Sequence, residues 1–334
     1  MPDFNFDGPP TLPGPELTAA VRAAKGAKTS DSMLDTGTLA PEQARAPISE
    51  RLSTLRESPQ TVMPSNISLV PKSSGVSTIS SGVSREQSQS IVPQGIEFNI
   101  DVQQRCLVEF LRHYNDFDWT EGARDGRRYR PQNREFEYAD AIIAYGATRQ
   151  FRPQRVMVME SIYAIALLLD MRDKHPELNF DVTYVSSRLD RLEPVTKPDD
   201  HLTIISNPAV KVPLTIFDQL QSGDILFIQS SHVVSISSDV NRIFFEILPR
   251  LAPGVIVHLQ GVFYPFEYPA DWSVRGGKTA NEIYLLRAFL QYNAAFEILL
   301  CNDFAQQAFG PVCRARAPLW LWGRGNSMWL RKVK

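Results

Sequence analysis

The sequence predicts an α/β domain with a mostly parallel seven-stranded sheet, helices on both faces and an antiparallel edge strand. Short apolar runs recur from residue 154 onward and alternate with stretches of helical periodicity. The runs are apolar at successive positions, which is typical of strands buried on both faces of a parallel sheet. The last two runs have no clear helix between them, and this favours an antiparallel strand at one edge.

The elements can be placed along the chain in order. Helices are predicted over 101–114 and 134–150, ahead of the sheet. The predicted strands are 154–159, 180–186, 201–206, 224–229, 254–260, 296–302 and 327–333. The helices among them are 161–175, 238–251 and 281–293. Ser161 is a candidate N-cap for the first of these, and Ser238 or Asp239 for the second.

Composition divides the chain into three parts. Residues 1–94 are rich in Ser, Pro, Thr and Gln and contain only two aromatic residues, Phe4 and Phe6. Such a segment buries too little apolar surface to offset its ordering entropy, so we expect a disordered tail. A helical lead-in is expected over 95–150 and the main domain over 151–334.

One short pattern stands out within the tail. Ile48, Leu52 and Leu55 lie at helical spacing, which indicates either a transient helix or a segment that docks in the groove of a partner.

Charge and cysteine content limit the function classes. The net charge is −2 and the isoelectric point is near 6.2, which excludes a general affinity for nucleic acid or anionic membranes. Cys106, Cys301 and Cys313 are odd in number and far apart, which favours reduced thiols and a cytoplasmic location. The amino terminus has no signal-peptide pattern, and no apolar run is long enough to span a membrane.

The chain also carries one local basic run, GARDGRRYRPQNR. It could contact phosphates, but a solvated loop ahead of a helix is the favoured interpretation. Asp170, one helix beyond the first strand, is expected on the surface.

Polar residues follow the apolar strands where a ligand crevice is expected. In an α/β sheet the ligand binds outside the carboxyl ends of the strands, and the run DILFIQSSH ends there in Gln229, Ser230, Ser231 and His232. His232 is a candidate proton acceptor, or a structural histidine near a helix start. Ser231 is a candidate substrate contact, although a role in capping the helix or the loop is the simpler one.

Two further residues are candidate substrate contacts, each with a structural alternative. His258 lies inside the fifth strand, where a core histidine is favoured over a ligand. Glu267, in FYPFEYP, either binds substrate or holds its own proline-bounded loop. Neither the cysteines nor the histidines have the spacing of a zinc site.

A family resemblance rests on longer motifs. The most specific is GDILFIQSSHVVSISSDVNRIFFEILPRLAPGVIVHLQGVFYPFEYPADW, and LLRAFLQYN, NSMWLRK and the upstream YRPQNREFEYADAIIAYG agree with it. From 127 to 332 the chain resembles class I S-adenosylmethionine (SAM)-dependent methyltransferases of the small-molecule group. The resemblance implies a Rossmann-like fold, SAM as cofactor and a small-molecule acceptor.

The cofactor positions that the resemblance implies carry other residues here. The family has an acid after the first strand, followed by Gly-x-Gly, and this chain has Val158, then Glu160, Ser161 and Ile162. Glycine lets the backbone approach a ligand closely, whereas a β-branched Ile in such a turn is sterically hostile. The acid that accepts the ribose hydroxyls at the end of the second strand is replaced by Ser186.

The catalytic positions are changed in the same way. Gln229 replaces an acid at the end of the fourth strand, and Gln260 with Gly261 replaces a His-Asp pair at the end of the fifth. Without carboxylates a hard cation such as Mg²⁺ lacks its preferred ligands. His232 is then the remaining candidate for a general base, and Gln229 and Gln260 are weak catalytic candidates.

Three functions follow from these residues. The first is a degenerate methyltransferase-family protein that acts as a binding or scaffold module for a small molecule or a protein partner. The alternative is an active SAM-dependent methyltransferase that acts on an oxygen or nitrogen of a small molecule, with His232 as base. A third interpretation is a secreted effector that uses the fold for host interaction.

Overall fold

The computed structural model describes residues 93–119, 126–270, 272 and 280–334. Except for residues 93 and 94, the tail predicted over 1–94, with Ile48, Leu52 and Leu55, lies outside them. The strands are β1 (Arg155–Met159), β2 (Asp181–Val185), β3 (Leu202–Ile205), β4 (Ile225–Ile228), β5 (Ile256–Gln260), β6 (Phe296–Cys301) and β7 (Ser327–Lys332). The longer helices are α1 (Ile100–Leu111), α2 (Tyr138–Phe151), α3 (Ile162–Lys174), α5 (Glu282–Leu290) and α6 (Asn302–Cys313). Helix α4 runs through Asp239–Arg242, a π-helical turn at Ile243–Ile247 and Leu248–Arg250.

The seven strands form one sheet in the order β3-β2-β1-β4-β5-β7-β6, which confirms the predicted fold class. Strands β1 to β5 pair in parallel, and β7 is antiparallel to both of its neighbours, β5 and β6. The chain thus reaches the edge with β6 and returns to insert β7 beside β5. The expectation that no helix separates these two strands is wrong, because α6 lies between them. Pro311 inside α6 obscures its helical pattern in the sequence.

Both faces of the sheet are buried. In β1, Val156 and Val158 belong to the apolar core on one face, and Met157 and Met159 belong to the core on the other. Helices α1, α2 and α3 cover the first face, and α4 and α5 cover the second. The strands are apolar at nearly every position in the sequence because both of their faces are buried.

Helices α1 and α2 cross in close contact at a glycine. A Cβ atom added to Gly146 of α2 would lie 2.2 Å from the carbonyl oxygen of Phe110 in α1. Any side chain at this position would push the helices apart, so the glycine sets how closely α1 packs on α2.

Two predicted helix starts are confirmed by their caps. The Ser161 hydroxyl accepts a hydrogen bond from Ala164 N, and the Ser238 hydroxyl accepts one from Asn241 N. None of the helices in the described part of the chain combines the length and the apolar character needed to cross a membrane.

In the described part of the basic run, Arg128 is buried and anchored, whereas Arg130 and Arg134 are exposed, as a solvated loop predicts. The Arg128 guanidinium binds Asp170 at 3.0 Å and Asp173 at 2.7 Å, and it also binds Asp200. The expectation that Asp170 lies on the surface is wrong, because it is buried and accepts hydrogen bonds from Arg128 and from the Trp119 indole. The network fixes the segment before α2 against α3.

Candidate functional site

A cleft of about 770 Å³ opens at the carboxyl ends of the parallel strands. This volume lies within the range of small-molecule sites. The walls come from the loops after β1, β2, β3, β4 and β5 and from the segment before α2. The position is the one expected for a ligand site in an open α/β sheet.

Four of the predicted site residues form one row along this edge. Met159 pairs with Val185 on one side and Ile228 on the other, and Ile228 pairs with Leu259. One position further on, the four residues that fall side by side across β2, β1, β4 and β5 are Ser186, Glu160, Gln229 and Gln260. Adjacent members are separated by the spacing of neighbouring strands, about 4.8 Å.

Glu160 occupies the β1 position of the row. Its φ of 59° lies in the left-handed region, which favours glycine. Its carboxylate accepts a hydrogen bond from Ser186 Oγ at 2.7 Å and one from Ser187 N at 3.3 Å. The Arg188 Nε atom lies 3.9 Å from the same carboxylate. The Glu160 carboxylate therefore lies at the ends of both β1 and β2.

Two of the predicted cofactor positions do not face the cleft. Val158 is fully buried between the sheet and the helices on one face, and Ile162 is buried in the same core. Side chains alternate between the two faces of β1, and this places Val158 in the core on one face of the sheet. Ile162 is buried in that core because it lies in the first turn of α3. Ser161 acts as the cap of α3.

His232 forms a dyad with an acid that sequence patterns did not reveal. Its Nδ1 atom lies 2.7 Å from Glu282 Oε2, and its Nε2 atom lies 3.2 Å from the Gln229 amide nitrogen. In the tautomer that satisfies both contacts, Nδ1–H donates to Glu282 and Nε2 accepts from Gln229. Glu282 is 50 residues further along the chain, so no local motif reports it.

The place of the His232 ring depends on a glycine. A Cβ atom at Gly261 would lie 2.5 Å from the Cε1 atom of His232. The His232 backbone has a φ of 60°, and its carbonyl accepts hydrogen bonds from the amides of Asn281 and Glu282. The absence of a side chain at Gly261 thus makes room for the imidazole.

The serines beside His232 have structural partners. Ser230 Oγ donates to Glu282 Oε2, and Ser231 Oγ and Ser231 N both donate to the carboxylate of Asp239 at the start of α4. Ser231 is exposed at the cleft rim. Its contacts are those of a helix-start loop, as the simpler alternative predicted.

Gln260 is held from below by a buried carboxylate. Its amide nitrogen donates to the Glu135 carbonyl at 2.9 Å and to Asp140 Oδ2 at 3.1 Å, and it also contacts Asn326 Oδ1. Asp140 is completely buried, and burial raises the pKa of its carboxyl above the ordinary value. Gln260 has neither the charge nor the freedom of a proton-transfer group.

The other two predicted substrate contacts lie outside the cleft. His258 is buried against Phe227 and Trp329, with ring centroids 4.8 Å apart in both pairs. His258 lies two positions before Gln260 in β5, and its side chain faces the helices that cover the sheet. It is therefore a core histidine. Glu267 is exposed and accepts a hydrogen bond from the Tyr284 hydroxyl.

The burial of His258 predicts a pH dependence of stability. Burial lowers its pKa from 6.5 to about 3. Protonation therefore favours the unfolded chain, and the free energy of unfolding falls as the pH drops from about 6.5 toward 3. Between pH 7 and pH 5 the loss is about 2 kcal/mol.

Urea unfolding of the wild type and His258→Phe at both pH values measures this term. On acidification, His258→Phe is expected to lose about 2 kcal/mol less stability than the wild type. His201→Gln, a change at an exposed histidine, is expected to behave as wild type. Equal acid sensitivity of wild type and His258→Phe would contradict the assignment.

No protein-family model matches the chain, and no curated protein does. Solved structures are similar at low identity. The SAH-bound methyltransferase PaMTH1 from Podospora anserina is 14% identical, covers 73% of this chain and 99% of its own, and has a TM-score of 0.39.

Two further solved structures give similar values. A protein from Corynebacterium glutamicum is 13% identical, with 68% of this chain and 98% of its own covered and a TM-score of 0.37. The plantazolicin methyltransferase BpumL in complex with SAH is 12% identical, with 70% and 100% covered and a TM-score of 0.36. The fold itself is defined by the strand order and by the reversed β7. The chain has a Rossmann-like class I methyltransferase fold.

The residues at the cofactor positions of this methyltransferase-fold cleft differ from those that the resemblance implies. The turn after β1 carries Glu160, whose side chain lines the cleft, where the resemblance implies a glycine. Ser186 is completely buried and its hydroxyl is used by Glu160, so it offers no acceptor to a ribose. Among the described residues, no three His, Cys, Asp or Glu side chains lie together as metal ligands would.

Proposed function

We propose that this protein is a pseudoenzyme with a class I methyltransferase fold, whose cleft binds a ligand or partner other than SAM. The observation that carries the proposal is the Glu160 carboxylate, which bridges the ends of β1 and β2 through Ser186. The Glu160 side chain lies in the space where SAM would have to pack against the backbone of the turn after β1. It also places a negative charge where the carboxylate of SAM would approach, and like charges repel.

The remaining framework supports a binding role. The cleft is open, and the row from Ser186 to Gln260 is held by hydrogen bonds at both ends. A binding or scaffold module needs such a preformed surface but no cofactor chemistry. We further propose a protein partner or small molecule as its occupant and a reducing, cytoplasmic location, where the free thiols Cys106, Cys301 and Cys313 would persist.

The variant Glu160→Gly tests whether one side chain alone blocks the cofactor. Glycine adopts the φ of 59° without strain, and Ile162 is kept because it is part of the core. We expect no gain of SAM binding, since Ser186 still cannot accept the ribose hydroxyls as a carboxylate would. Equilibrium dialysis with labelled SAM measures this, with Glu267→Ala as the control outside the cleft. Micromolar SAM binding by Glu160→Gly would show that this one side chain is the whole block, and micromolar SAM binding by the wild type would overturn the proposal.

One observation favours the alternative of an active methyltransferase. The Glu282–His232 dyad presents Nε2 toward Gln229, which lines the cleft, and an oriented imidazole is suited to take a proton from a hydroxyl or an amine. Methyl transfer to a small oxygen or nitrogen acceptor that disappears in His232→Asn would support this alternative over the pseudoenzyme.

A further inference from the structure

The charged groups of the cleft cancel. Its lining includes three arginines and three carboxylates, namely Arg134, Arg188, Arg191, Glu135, Glu160 and Asp239. Arg191 lies 3.3 Å from Glu135, and Arg188 lies 3.9 Å from Glu160. Neither a strongly anionic nor a strongly cationic ligand gains from the net charge of such a site. The balance favours a neutral polar ligand.

One buried acceptor of the cleft has no partner. The amide of Gln260 is fixed in one orientation, because its nitrogen faces three oxygen acceptors and a flipped amide would face them with its own oxygen. Its Oε1 atom is buried and has no hydrogen-bond partner among the described residues. A buried unpaired acceptor is costly. Since Gln260 lines the cleft, a ligand hydroxyl is a suitable donor.

The other polar groups of the row require a ligand that both donates and accepts. The Glu160 carboxylate accepts, whereas the guanidinium of Arg188, whose side chain is 59% exposed, donates. Gln229, which follows β4 on the other side of Glu160, offers an amide. Trp272, whose ring lies 5.4 Å from that of His232, adds an apolar surface to the same cleft. Hydroxyl groups donate and accept alike, and the ring of a sugar presents apolar C–H groups beside them.

We propose that the cleft binds a neutral polyhydroxylated small molecule, a sugar or a cyclic polyol. The proposal rests on the proposed function, because it gives the cleft an occupant other than SAM. Glu160 and Arg188 hold hydroxyls at the β1–β2 end, and Gln260 Oε1 accepts a hydroxyl hydrogen at the β5 end. Trp272 covers an apolar face of the ligand.

Ligand-observed NMR titration of the full chain with D-glucose and myo-inositol tests this. Tetrahydropyran, which has a similar ring without hydroxyls, is the matched probe. We expect saturable binding of at least one polyol and none of tetrahydropyran. Glu160→Ala is expected to weaken the polyol about tenfold or more, as the loss of a hydrogen bond to a charged group does, and Glu267→Ala is expected to leave it unchanged.

The outcomes separate this proposal from the previous one. Absence of saturable polyol binding, or equal affinity in Glu160→Ala and Glu267→Ala, overturns the polyol proposal alone. Arg188→Ala provides the same test at an exposed side chain if Glu160→Ala does not fold. Micromolar SAM binding by the wild type overturns the pseudoenzyme proposal, whatever the polyols do.

Discussion

Replacing Arg128 by Met is expected to lower the free energy of unfolding by about 3–5 kcal/mol, the usual cost of removing one partner from a buried ion pair. The side chains of Arg128, Asp170 and Asp200 are 3%, 3% and 5% exposed. The substitution leaves two buried carboxylates without their counter-charge. Urea unfolding followed by tryptophan fluorescence measures the change.

Arg127→Met is the matched control for this network. Arg127 pairs with Asp118, whose side chain is 33% exposed, and it lies over the Trp119 ring at 4.8 Å. Such a half-exposed pair contributes about 1 kcal/mol or less. Equal losses in Arg127→Met and Arg128→Met would contradict the anchoring role. The network also matters for the cleft, because Arg134 and Glu135 of the anchored segment form part of its wall.

Asp140→Leu is expected to cost about 3–5 kcal/mol, because it leaves several buried donors without an acceptor. The Asp140 carboxylate accepts hydrogen bonds from Ser327 Oγ at 2.6 Å, from Asn302 Nδ2 at 2.8 Å and from Gln260 Nε2 at 3.1 Å. Asp140 is therefore the point where α2, α6, β5 and β7 are joined beneath the cleft. The same urea unfolding measurement applies.

Asp140→Asn distinguishes the loss of acceptors from the loss of charge. Burial raises the pKa of Asp140, so the folded state disfavours the charge while using both oxygens as acceptors. The amide keeps one of the two oxygens, and the expected loss is about half of that in Asp140→Leu. A loss in Asp140→Asn as large as in Asp140→Leu would show that the charge is required.

Much of the fold follows from local patterns in the sequence. The apolar runs that end at Met159, Val185 and Ile228 predict strands within a residue or two of those observed. Two caps, Ser161 and Ser238, mark helix starts because their side chains bond to the next turn. Helix α6 is not predicted, because Pro311 interrupts its helical pattern in the sequence.

The site is predictable only where strand register determines it. Glu160, Ser186, Gln229 and Gln260 follow strand ends, so their common edge can be deduced once the sheet is parallel. Glu282 cannot be deduced in this way, because its contact with His232 depends on how α5 returns to the end of β4.

Sequence patterns do not predict which charged residues are buried either. Asp170 and Arg128 resemble surface residues, since charged residues are rarely buried unless they are paired, and their pairing is a tertiary event 42 residues apart.

We propose that this methyltransferase fold has lost its cofactor site. Isothermal titration calorimetry of the wild-type chain with SAM, repeated with SAH, tests it most directly. We expect no saturable heat up to about millimolar ligand, which corresponds to a binding free energy weaker than about 4 kcal/mol. Saturable binding with a dissociation constant in the micromolar range would contradict it.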